Sequence, residues 1–375
     1  MLPKLYDEFS KNGDDYQMTY LGTINHCTKC QVKEVRNGAY TLSLETTEND
    51  DCAGFITSQK IVGAKANPFD PVQYFEIQKT ERTQDGIIKA EAKHVKNFCF
   101  QICSEGDITA ENRVVSESGT PKEVWDLLVR DYIVTTVPFS FASNISARKK
   151  FSLGLQLAET LGDILGGSEG SFLDLWGGEF HWDNYSITLN YARGSAKDYQ
   201  IRYGSNISNA KQTESCENTY THILPYGKVG VTGSNTKITF SAPLYAIPSS
   251  ESNYTKVYKL DCTSLLESYE VGTTGQNYST VKAAMTNYAR TYAANRSLGK
   301  VSVSIDITLR AELDEMAQIG LCDTVSVILD NFGTTATAKI TETTYDSLME
   351  RWDKLVVGAT RVTVADMILN RKRYI

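Results

Sequence analysis

GGEFHWDNYSITLNYARGSAKDYQIRYGSNI, residues Gly177 to Ile207, is the stretch whose reading decides the fold. Gly177-Gly178 is a tight-turn signal between two apolar-rich runs. Phe180, Trp182, Ile187 and Leu189 break the polar residues into short extended segments. Arg193-Gly194 then turns the chain, and Tyr199 to Tyr203 reads as a return strand. The expectation is a pair of hairpins with no catalytic signature. Glu179, His181 and Asp183 would share one strand face, opposite Phe180 and Trp182. They look like a ligand cluster on paper, but an ordinary half-buried strand produces the same alternation.

Upstream, Cys30, Val32 and Val35 lead into Arg36-Asn37-Gly38, and Tyr40, Leu42 and Leu44 alternate on the way back. Asn-Gly supplies the two positive-φ positions of a type I′ turn, which predicts a hairpin. Tyr74 to Lys79 alternates, a turn follows at Gln84-Asp85-Gly86, and Ile87 to His94 returns as a strand. The spacing predicts an all-β module of about five strands, a small barrel. Thr120-Pro121-Lys122-Glu123 is a capping box with Pro at the first helical position, and Val124, Leu127 and Leu128 give its helix an apolar face. Ser152 to Leu165 reads as a second helix, stopped by the Gly166 to Gly170 stretch.

Downstream, Cys216 to Leu224 and Val257 to Cys262 read as strands, and Val229 to Tyr245 as a hairpin region. Val281, Met285, Tyr288 and Tyr292 stand at helical spacing within a helix expected over Ser279 to Ala294. Val301 to Leu309 alternates as a strand. Asp323 to Leu329, the turn Asp330-Asn331-Phe332-Gly333, and Thr334 to Tyr345 make one more hairpin. The chain therefore reads as β-rich α+β, with two small β-barrel domains and α+β domains between and inserted. Its expected divisions are an N-terminal barrel at 1–104, an α+β domain with hairpins at 105–210, and a second barrel at 211–375 carrying an inserted subdomain at about 241–299.

Length supports this: 375 residues exceed one ordinary domain. Tyr occurs 21 times, and Thr and Ser are abundant, which favours strands. The formal net charge of −7 argues against a general nucleic-acid binder, which needs a basic surface. Arg148-Lys149-Lys150 and Arg371-Lys372-Arg373 are the dense basic runs, and both read as solvated surface. No apolar run reaches bilayer-crossing length, and the N-terminus lacks a signal-peptide stretch. The expectation is cytosolic synthesis with no membrane anchor. Asn-x-Ser/Thr sequons, as at Asn144, Asn184 and Asn253, are then chance, and the eight scattered cysteines reduced thiols.

The chemical motifs weigh against catalysis. Gly166-Gly167-Ser168-Glu169-Gly170 matches the G-x-S-x-G elbow, but that motif needs a strand before it and a helix after it. Here the expected order is helix, turn, strand. Cys27-x-x-Cys30 could be half of a zinc site, with Cys99, Cys103, His26 and His94 nearby in sequence. An alternating strand through Cys27 and Cys30 would point the two thiols to opposite faces. No Walker or dinucleotide phosphate loop and no H-E-x-x-H occurs. Four histidines offer few general bases near neutral pH. The expectation is no catalytic residue, no cofactor and no metal.

The GGE-x-x-W-D run at Gly177 to Asp183, the Arg193-Gly194 turn and the Ile201-Arg202-Tyr203-Gly204-x-Asn206-Ile207 segment resemble the prophage tail endopeptidase family. Asn37-Gly38-Ala39-Tyr40-Thr41-Leu42 resembles the family's N-G-x-Y-x-L hairpin. Tyr74-Phe75-Glu76-Ile77 with Ala92-Lys93-His94-Val95 resembles its F-x-I and A-x-H-I segments. Leu321-Cys322-Asp323-Thr324-Val325 resembles its L-G-D-x-V strand entry, with Cys322 where the pattern has glycine.

The resemblance implies a tail-tip hub like that of contractile-tail baseplates. Such a hub is a homotrimer whose paired barrels form a pseudo-sixfold ring. The implied partners are the distal tail protein ring, the tape measure protein and tail-tip or receptor-binding proteins. DNA would pass through a central channel without specific nucleic-acid binding. The implied location is the virion tail tip, after synthesis in the bacterial host cytoplasm. In many members peptidoglycan cleavage resides in appended domains. This sequence stops at Ile375, where the hub module would end, so the expectation leans away from an enzyme. The alternatives are a peptidoglycan-degrading endopeptidase acting during cell-wall penetration, carried by the Glu179/His181/Asp183 face or the Cys/His cluster, and a Tyr-rich host-surface binding module.

Overall fold

The computed structural model describes residues 1–7, 10–12, 15–103, 114–133, 137–154, 160–167, 170–202, 207–248, 250–266, 269–272, 277–296, 298–300, 302–309, 318–329 and 334–359. Ser168 and Glu169 of the elbow-like motif, the turn at 330–333 and the basic run at 371–373 lie outside the described residues.

Alternation writes the first sheet. The strands Lys29–Val35 and Tyr40–Thr47 bury every second residue, placing Cys30, Val32, Tyr40, Leu42 and Leu44 inside. Ile87–His94 pairs with Tyr40–Thr47, Val72–Arg82 with Ile87–His94, and Ile61–Lys65 with Val72–Arg82. Lys4–Tyr6 and Tyr20–Thr23 complete that side. The predicted hairpin forms, with a wider turn than type I′. Glu34 pairs with Tyr40, and Asn37 has φ 52° while Gly38 is not left-handed. The Asn37 side chain is engaged elsewhere, as described below.

The far edge of this hairpin is joined by the last part of the chain. Thr334–Asp346 pairs antiparallel with Lys29–Val35, Glu342 lying opposite Val35 and Asp346 opposite Gln31. Arg351–Ala359, Ser302–Leu309 and Ile207–Ser215 follow in order, so strands from both ends of the described chain belong to one 13-stranded sheet. The class is the expected β-rich α+β.

The middle of the chain adds short pieces. The capping box is realised at Thr120, and the helix Pro121–Asp131 buries Val124, Trp125 and Leu128. Trp125 stacks on Phe141 at 4.8 Å, and Phe172 meets both Phe141 and Phe151 edge-on. The helix expected over Ser152 to Leu165 is not continuous. Lys149–Gly154 is a strand paired with Val114–Gly119, and a π-helical turn spans Asp163–Gly167. Pairing with a β-branched partner strand overrides the local apolar spacing. Leu157 and Ala158 lie outside the described residues. The buried apolar residues from Leu5 to Leu189 form one core.

A second core, from Ile223 to Leu298, belongs to a separate five-stranded sheet. His222–Val231 is its central strand, with Ser234–Ser241 antiparallel and Val257–Asp261 parallel to it. Residues 216–221 are a loop, so the strand expected from Cys216 starts at His222. The helix Tyr278–Asn295 packs on the sheet through Val281, Met285, Ala289, Tyr292 and Ala293, close to the predicted face. Asn277 caps it by accepting from the Thr280 amide.

Candidate functional site

The quoted stretch forms one hairpin rather than two. Glu179–Asp183 pairs with Ser186–Asn190, and Ser140–Ser143 adds parallel to the latter. After Arg193-Gly194 the chain does not return. The strand Ala196–Arg202 runs parallel to Thr324–Leu329 and joins the large sheet. Periodicity reports that a strand exists, but a parallel partner more than a hundred residues away leaves no local trace.

Glu179, His181 and Asp183 do share a face, and each meets a partner more than a hundred residues away in sequence. Lys339 Nζ donates to Glu179 Oε1 at 2.6 Å, and the Arg193 amide donates to Glu179 Oε2 at 2.8 Å. His181 Nε2 lies 3.1 Å from Asp70 Oδ1. Gln73 Nε2 donates to Asp183 Oδ1 at 2.9 Å. At the hairpin turn, Asn184 has φ 49°, its side chain donating to the Val72 carbonyl and accepting from the Tyr74 amide.

Arg193 is the centre of the junction. Its Nη1 donates to Glu34 Oε1 at 2.5 Å and to the Phe180 carbonyl at 3.3 Å, and Nη2 lies 4.0 Å from Asp70. The Arg193 and Glu34 side chains are only 13% and 7% exposed. Burial works against the guanidinium charge, and the Glu34 carboxylate overcomes it, so Arg193 is held more firmly protonated. Burial likewise pushes the Asp70 carboxyl up, but His181, Asn67 and Arg193 together hold it below its ordinary value. Glu179 behaves the same way, with Lys339, the Arg193 amide and Arg36 outweighing burial.

The other motif residues arrive at the same place. Asn37 Nδ2 donates to the Gly178 carbonyl at 2.9 Å, and Asn37 Oδ1 accepts from the Phe180 amide at 2.8 Å. Gly178 has φ 94°, and a Cβ there would lie 2.5 Å from the Asn190 carbonyl oxygen. Asp323 accepts from the Ser195 amide at 2.8 Å and, through its other oxygen, from the Gly320 amide at 2.8 Å. Cys322 sits at φ 70°, the left-handed region that glycine enters without penalty.

His94 lies behind Gln73, which also bonds Asp183 and the Asn184 amide, and it is fully buried and stacked on Tyr40 at 4.3 Å. Its Nε2 donates to Gln73 Oε1 at 3.0 Å, and its Nδ1 accepts from the Lys96 amide at 3.1 Å. Those two bonds require the neutral ring. Burial, then the Lys96 charge, holds the imidazole well below the ordinary histidine value. Unfolding therefore takes up a proton below pH 6.5, and the stabilisation present above that pH is lost as pH falls. The expected slope is about 1.4 kcal/mol per pH unit from 6.5 down to the folded-state value. Urea midpoints between pH 7.5 and 5 measure it, and His94→Gln should flatten the slope. An unchanged slope in that variant would refute the assignment.

Of the Cys and His residues weighed as a metal site, Cys27 and Cys30 lie side by side rather than on the opposite faces expected of an alternating strand, and the Cys27 contact and burial hold the Cys30 thiol well above its ordinary value. Cys27 precedes the strand Lys29–Val35 and donates to the Lys29 carbonyl, Cys30 is buried beneath it, and the His26 amide donates to Asp50. Cys99 is buried and Cys103 exposed. Among the described residues, no three or more His, Cys, Asp or Glu side chains form a group able to hold a metal ion. The charges of the junction are spent on one another. Chemically, it is a set of buried clasps between segments far apart in sequence.

A chain of β modules and short α+β pieces, joined by buried ion pairs, has the fold of phage tail proteins. Residues 195–368 match the family described as Prophage endopeptidase tail, a stretch that includes the Leu321-Cys322-Asp323 motif. A prophage tail protein from Listeria monocytogenes superposes with a TM-score of 0.58 at 13% identity, over 100% of this chain and 99% of that one. The 43 kDa tail protein of a Shewanella oneidensis prophage gives 0.57 at 12%, over 96% and 98%. A tail protein from Neisseria meningitidis gives 0.57 at 10%, over 96% and 97%. Comparison with curated protein sequences finds no match.

Proposed function

We propose that this chain is a structural hub at the distal tip of a phage tail, assembled as a homotrimer. Its two β modules, at 1–104 and 211–375, would close as barrels and alternate around a pseudo-sixfold ring. The segment 105–210 and the insertion at about 241–299 would decorate that ring. The hub would join the distal tail ring and tube to the tip, with the tape measure protein and receptor-binding proteins as neighbours. One observation carries this reading. The residues that bear the family likeness, among them Asn37, Gly178, Glu179, Arg193 and Asp323, are spent on fixing distant segments of the chain against one another. A load-transmitting ring requires such fixed geometry.

The absolute mass by light scattering, with electron microscopy of the peak fraction, tests the reading. The expected result is the mass of three chains and a three-fold ring with a central opening. A monomer at every concentration, even with the distal ring protein present, would overturn it. So would hydrolysis of peptidoglycan by the purified protein that disappears in His181→Ala.

A further inference from the structure

Beside the junction, sharing Asn37 and Phe180 with it, lies a pocket of about 320 Å3. Its walls are mainly apolar, with Phe100, Leu165, Leu173, Phe180 and Trp182 facing a polar side that includes Asn37, Lys93 and Lys96. Small residues keep it open. A Cβ at Gly162 would lie 2.5 Å from the Phe100 ring, and one at Gly166 would lie 2.7 Å from Leu173.

Two lysines line this space, and Lys96 is the more buried, Lys93 being exposed. Lys96 Nζ stands 5.4 Å from the Trp182 ring centroid and 5.8 Å from that of Tyr40, and it donates to the Gly38 carbonyl. Among the described residues, no carboxylate forms an ion pair with it within 4.0 Å. The carboxylate that acts on it, Glu34, is already held by Arg193. An ammonium has three donors, and the Gly38 carbonyl uses one. Burial lowers Lys96 to about 8, so the group is still largely protonated at neutral pH and lacks a full complement.

We propose that this pocket binds a small apolar monocarboxylate, with the carboxylate on Lys96 and the hydrocarbon body between Trp182, Phe180 and Leu173. The walls decide the class. A phosphate or polyanion would lose hydration against apolar surface with only one buried cation to compensate, whereas a monocarboxylate matches the one buried ammonium. The volume is at the lower end for small-molecule sites, which limits the body to a short chain or a single ring. This inference stands apart from the hub reading and does not depend on it.

Calorimetric titration of the intact protein with decanoate, decan-1-ol and decylamine separates the charge from the apolar body without any variant. Decanoate is expected to bind about tenfold more tightly than the alcohol, as a charge-assisted hydrogen bond provides, with the amine weakest. Lys96→Gln, which retains a donor for the Gly38 carbonyl, should erase the preference for the acid. Equal affinity for acid and alcohol would overturn the proposal. So would a preference that survives in Lys96→Gln, or no binding of decanoate up to about 1 mM.

Discussion

Replacing Arg193 by methionine is expected to destabilise the fold by about 3–5 kcal/mol, the usual cost of leaving one partner of a buried ion pair uncompensated. Two carboxylates lose their counter-charge at once, because Arg193 bonds Glu34 and stands beside Asp70. Arg193→Lys should recover little, since a point charge cannot reach Glu34 and the Phe180 carbonyl together. The double variant Arg193→Met with Glu34→Leu should be less damaged than the single one, because the orphaned charge is gone. Urea denaturation of the parent, Arg193→Met, Glu34→Leu and the double variant gives the coupling. A single-variant loss below about 1 kcal/mol, the level of surface pairs, would refute the central role of this clasp. Acid should reproduce part of the effect. Asp70 and Glu179 have depressed folded-state values, so their contribution is intact above about pH 4 and lost as pH falls through those values.

Gly194→Ala is the second large effect, expected to cost about 3 kcal/mol or to prevent accumulation of folded protein. A Cβ at Gly194 would lie 2.1 Å from the Cys322 carbonyl oxygen and 2.4 Å from the Asp323 nitrogen. Both are backbone atoms at the start of the strand Thr324–Leu329, so no side chain can rotate away. The damage should be local first. The Thr324 amide, which donates to the Ser195 carbonyl at 2.9 Å, should lose hydrogen-exchange protection. Gly54→Ala is the control, since nothing lies within 4 Å of its Cβ position, and it should stay within about 0.5 kcal/mol of the parent. Equal stability of the two variants would contradict the steric account.

Local chemistry was legible and distant pairing was not. The Thr120 capping box, the helix Tyr278–Asn295 and the alternating strands of the first sheet follow from neighbours in sequence. The junction did not, because its pairs span the chain. Glu179 was readable as a strand residue, but Lys339, which neutralises it, lies far downstream in sequence. Arg193 read as a turn residue because the Gly after it dominates the local signal, and its guanidinium partner Glu34 lies far upstream. Asn37 read as a turn former, and its side chain proved to be a connector to Gly178 and Phe180. Lys96 carried no signal, since only the folded chain encloses it between Tyr40 and Trp182. The motifs of the family resemblance marked the right residues without revealing their partners.

The pairing of Lys29–Val35 with Thr334–Asp346 also sets a schedule for synthesis. As the chain leaves the ribosome, the first hairpin can close at once, but one side of Lys29–Val35 stays open until the last strands emerge. At about 5–20 residues per second, the roughly 300 intervening residues take on the order of 15–60 s. Throughout that interval the nascent chain presents an unpaired strand edge, the kind of surface on which chains aggregate. Lys29, Lys33 and Glu34 place charge along that strand and oppose such pairing while it waits. Slower translation lengthens the exposure, so yield should depend on chaperone supply more than on the stability of the finished fold.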